Sequence, residues 1–379
     1  MDDRELNKDT VPIHTGKVDE TVARRKYEAL ESSIKTRLEE RLGTPALEAA
    51  GRIREGTHTL DDVFLYQGKL RELFSEGYLP RSGDETAAYP ELASDIASII
   101  ISDFETCLKE GLVKGRTYEL AVRNVNNIGN KSANFLPSTL TSDLRNALYG
   151  KDGSDYNAPF PGLLTTLWAL RELRPTTYYN SLNAAKWAVL IGEAVNAYNS
   201  SQGIELRVDT RELFMYALVQ NAGMLDPDIP LVDSDKALGG KEKFQLVGHG
   251  QKSVAVLKDN LFSIPESGRF ENVLTFHTHP KVYCGNLYYD DLTATLIGIS
   301  STAEMFEGMY FKKAHRKAPM TPDEVFSRIE QKMFTEEELD KIKDTLKLGY
   351  RYDAEQAKRY PLLQPYAMLC LAFGKLERN

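Results

Sequence analysis

Apolar residues recurring three or four apart fill the first 225 residues, and this spacing limits the possible folds more than any other feature. Thr21 to Leu42 shows it clearly: Ala23, Tyr27, Leu30, Ile34 and Leu38 mark one stripe among dense Glu, Lys and Arg. Such a stripe is the buried seam of an amphipathic helix whose outer face is solvated. Gly43-Thr44-Pro45 ends that helix and begins another, since proline fits a first helical turn. The same reasoning predicts helices over 61–75 and 90–112, shorter ones to 148, and then 163–173 and 178–198, with Trp168 and Trp187 as core anchors. A last one over 210–222 can be capped by Asp209 or Thr210.

From Asp226 to Asp235 proline and aspartate dominate, and the texture changes. Short runs follow that read as strands: 243–247, 253–257, 261–264, 273–277, then 295–300 and 308–312, separated by Gly, Asn and Pro. Thr321-Pro-Asp-Glu and Thr335-Glu-Glu-Glu are helix starts. The expected fold class is therefore α+β. A helical domain covers 1–225, a small α/β metal-binding domain with a mixed sheet covers 226–320, and a helical region covers 321–379.

A net charge of −8 disfavours nucleic acid as the main partner. The three cysteines, Cys107, Cys284 and Cys370, lie far apart and suggest no disulfide framework. With a polar N-terminus and no run approaching the roughly 20 apolar residues of a membrane span, a soluble cytoplasmic protein is expected.

Chemistry concentrates at Phe276-His277-Thr278-His279-Pro280. On a strand, residues i and i+2 share a face, so both imidazoles would aim at one point. Asp290 and Asp291 stand eleven and twelve residues after His279 and offer a third ligand. Two His and one Asp with an open position point to Zn2+ and a water nucleophile. His249 ends a neighbouring run and could lie near, and Cys284 is an alternative ligand.

The run His277-Thr278-His279-Pro280 followed by Asp290-Asp291-Leu292-Thr293-Ala294 resembles the JAMM (JAB/MPN) metalloprotease motif over about residues 240 to 313. The resemblance implies a curved sheet, zinc on His277, His279 and Asp291 or Asp290, and cleavage of an amide or isopeptide bond, as in a ubiquitin-like conjugate. It implies Glu242 as general acid/base. The motif's Ser position holds Tyr288 if Asp291 is the ligand, and a Tyr hydroxyl can donate to an oxyanion. The competing readings are a catalytically inactive JAMM-like scaffold in a larger complex and another metal-dependent hydrolase, such as a phosphoesterase.

Overall fold

A computed structural model describes residues 20–75, 91–113, 117–128, 137–149, 161–231, 239–257, 267–280, 290–310, 320–340 and 363–373. Helices account for nearly all of them: α1 (Glu20–Leu42), α2 (Thr44–Glu55), α3 (Leu60–Ser75), α4 (Glu91–Val113), α5 (Thr117–Ile128), α6 (Pro137–Tyr149), α7 (Pro161–Leu173), α8 (Pro175–Ser201) and α9 (Thr210–Val219). A 3-10 turn at Ala222–Leu225 leads on to α10 (Gly240–Val247), α11 (His249–Leu257), α12 (Ser267–Phe276), α13 (Asp291–Tyr310), α14 (Pro322–Met333) and α15 (Leu363–Ala372). None of these helices is long and apolar enough to cross a membrane.

The helices predicted in the first half form close to their expected bounds. Gly43 and Gly56 carry positive φ, 76° and 74°, where a side chain would be strained. Gly56 closes α2: its N–H donates to Ile53 O, and Thr57 N–H reaches Arg52 O at 3.0 Å. Asp209 caps α9, its Oδ1 accepting from the backbone N–H of Arg211 at 2.9 Å and of Glu212 at 3.3 Å.

The middle of the chain corrects the α+β expectation. Among the described residues there is no strand and no sheet. The runs 243–247 and 253–257 lie in α10 and α11, 273–276 in α12, and 295–300 in α13. The run 261–264 falls outside the described residues. The physical reason is plain: an apolar run of four to eight residues satisfies a buried helix as well as a strand. Here Val273-Leu274 and Ile297 pack into a core of helices.

That core is built around α8. Nineteen of its 27 residues are buried, so it meets neighbours on every side rather than along one stripe. It packs against α4, α5, α7, α9, α13 and α15. Trp187 is the hub: its ring lies 5.2 Å from Tyr118, 4.9 Å from Phe306 and 5.5 Å from Phe373. The buried Lys186 ammonium donates to Cys107 O at 2.8 Å and faces the Tyr118 and Trp187 rings. At the other end of α8 a buried polar knot joins four helices. Arg171 donates to Asp103 (2.8 Å), Glu31 (3.0 Å) and the Tyr27 hydroxyl (2.8 Å), while Tyr27 and Tyr178 donate to Asp103.

Candidate metal centre

His277 and His279 do not share a strand. His277 follows the last turn of α12 and is buried, whereas His279, two residues on in a turn, is exposed. Asp290 serves as the N-cap of α13, its Oδ1 accepting from Thr293 N–H at 2.8 Å. Asp291 is the first residue of that helix, half-buried, where a carboxylate complements the dipole. Glu242 caps α10: its Oε2 accepts from the Gly239 N–H at 2.6 Å, and the residue is half-buried. Tyr288 and Cys284 lie outside the described residues.

The geometry instead gathers His277 with His249 and Glu304. Neither His279, Asp290 nor Asp291 belongs to this group. The two Nε2 atoms face one another at 3.1 Å. Glu304 sets one oxygen 3.3 Å from His249 Nε2 and the other 3.1 Å from His277 Nε2. Ligand atoms held tetrahedrally at about 2.0–2.1 Å from zinc stand roughly 3.3 Å apart, so the triangle is close to the required size.

Local helix chemistry fixes the rings. The last carbonyls of a helix lack intrahelical partners. His249 Nδ1 lies 2.7 Å from Leu246 O at the end of α10, and His277 Nδ1 lies 2.6 Å from Leu274 O at the end of α12. In both cases the ring reaches back to the carbonyl three residues earlier. A carbonyl can only accept, so each Nδ1 carries a hydrogen, and in the neutral tautomer Nε2 is the acceptor. This carbonyl–imidazole arrangement is the outer shell that orients metal-ligating histidines. Two helix C-termini also direct their negative ends to this spot.

The approach of α11 to its neighbours depends on two glycines. A Cβ at Gly250 would stand 2.7 Å from Leu274 O and 2.9 Å from Thr275 O. A Cβ at Gly223 would stand 2.1 Å from His249 O. Ser253 completes the seam: its hydroxyl donates to Gln220 O at 2.5 Å and accepts from Gly223 N–H at 2.8 Å.

Electrostatics favours an ionised carboxylate. Burial pushes the Glu304 pKa up, but charge attraction and hydrogen bonds from the protonated rings of His277 and His249 outweigh it and hold the group well below its usual range. His249 and His277 are 4 % and 1 % exposed, while the Glu304 side chain keeps 26 % of its surface accessible.

Sequence reasoning offered His249 as a nearby histidine, a further ligand only if the site were that of another metal-dependent hydrolase, and passed over Glu304. A signal for Glu304 was present. From Leu292 to Tyr310, α13 contains no charged residue except Glu304 and Glu307. Carboxylates set in an otherwise apolar buried helix need a specific partner. No family model, no curated protein and no solved structure matches this chain.

Proposed function

We propose that this protein is a metal-dependent hydrolase whose zinc is held by His249, His277 and Glu304. One observation carries the reading: the Nε2 atoms of two buried imidazoles face each other at 3.1 Å, and both lie within 3.3 Å of one carboxylate. When both rings are neutral, two lone pairs so placed repel unless a cation lies between them. A proton shared by the rings supplies one charge, whereas a divalent ion answers both rings and the carboxylate together. Two His and one Glu form a zinc set with room for a fourth ligand, and bound zinc brings the pKa of its water to about 7. The JAMM assignment of His279, Asp290 and Asp291 as ligands is set aside with the sheet it required. A non-catalytic metal-binding scaffold is the second reading, favoured by Glu242 being engaged as a helix cap.

Metal analysis of the purified protein tests this. We expect about one zinc per chain in the wild type, little in His249→Ala and Glu304→Gln, and full occupancy in His279→Ala. Retention of metal by Glu304→Gln together with loss in His279→Ala would reverse the ligand assignment. Turnover of chromogenic ester, amide and phosphoester probes separates the two readings. Zinc-loaded wild type no faster than Glu304→Gln on every probe sinks the hydrolase.

A further inference from the structure

We infer that the same centre is a latch: metal occupancy sets how firmly α11 and α12 stay tied to α13, with α10 carried along on α11. This rests on the metal reading above. The three ligands come from three separate segments, the start of α11, the end of α12 and the middle of α13, so one ion cross-links them. The cross-link falls where apolar support is thin. Helix α10 buries no side chain, and its Phe244 is 82 % exposed. Helix α11 contributes Val256 and Leu257 to the core, and α12 contributes Phe270, Val273 and Leu274. By comparison α8 is buried along almost its whole length. Few buried apolar contacts make a segment prone to open before the rest of the fold.

Polar groups at the centre steepen this dependence. With both rings neutral and no cation between them, the facing Nε2 atoms of His249 and His277 push α11 and α12 apart, and the helices stand close because Gly250 presents no side chain to the Leu274 and Thr275 carbonyls. The effect extends to α10, whose Leu246 carbonyl is held by the His249 ring.

Hydrogen exchange on the full chain, with EDTA or with zinc, tests the latch. In EDTA, amides of 249–257 and 268–276 should exchange at least tenfold faster than the core amides of α8. Free zinc at a hundred times Kd should slow them about a hundredfold, the factor by which binding shifts an opening that releases the ion. His277→Ala should exchange in the EDTA manner in both conditions. Gly250→Ala, which retains every ligand, should show a weakened response to zinc. If zinc binds but 249–257 and 268–276 exchange no faster than α8 in EDTA, the latch is wrong and the metal reading stands. If zinc does not bind, both fall.

Discussion

At the scale of single residues, the fold stakes much on buried charges that are fully answered. Arg171 and Asp103 are 8 % and 5 % exposed in their side chains and are tied to Tyr27, Tyr178 and Glu31. Breaking a buried pair by removing one partner leaves an uncompensated charge and costs about 3–5 kcal/mol, whereas replacing both with apolar groups can be neutral. Arg171→Met should therefore lower unfolding stability by about that amount. Adding Asp103→Leu to it should restore a good part of the loss, as read by chemical denaturation. A double variant as unstable as the sum of the singles would show that the pair is not coupled. The candidate site is built the same way: His249 and His277 are buried and both lie against the Glu304 carboxylate. Sequence pattern pointed to His277 because of its neighbour His279, yet the useful neighbour is 28 residues upstream. Pairing through space leaves no trace in local spacing.

At the scale of elements, helices with a propensity signal and a cap were legible. The stripe of α1, the Asp209 cap of α9 and the Thr321–Glu324 capping box of α14 all form as their residues suggest. The helices from α10 to α13 were not legible as helices, because their apolar runs are short and rich in Val, Ile and Thr, which serve a strand equally well. Once His277 leaves the strand, its i+2 relation to His279 loses meaning, and the expected site dissolves with the expected sheet. Helix α9 offers a direct test of cap energetics in a buried element. Asp209→Ala should cost about 1 kcal/mol and Asp209→Ser considerably less, judged from urea midpoints. An equal cost for both would locate the loss outside the cap.

At the scale of the whole molecule, acidic groups held by partners set the response to pH. Arg52 and the Thr59 N–H hold the Asp62 carboxyl well below its ordinary 3.8. Burial raises Glu31, but Arg171 outweighs it and the group falls below 4.5. The Thr321 N–H lowers Glu324. Carboxylates depressed in the folded state contribute stability above their unfolded pKa and lose it as pH falls through the folded value. The share of stability these three carboxylates contribute should therefore hold from pH 7 to about 5 and decline below about 4.5. Arg52→Ala should shrink that decline, as followed by denaturant midpoints across the range. A profile unchanged by Arg52→Ala would mean that the Asp62 pair contributes nothing.

Gly223 and Gly250 carry a consequence beyond this chain. Each lies where another backbone comes so near that even an alanine would collide, and each belongs to the wall around His249. Any distant relative retaining this centre faces the same exclusion at both positions. The centre thus writes itself as a sparse fingerprint: a glycine, a His-Gly pair, a histidine 28 residues after the first, and a glutamate 27 further on. Relatives can be sought by that skeleton, in sequences whose remaining residues have drifted past recognition.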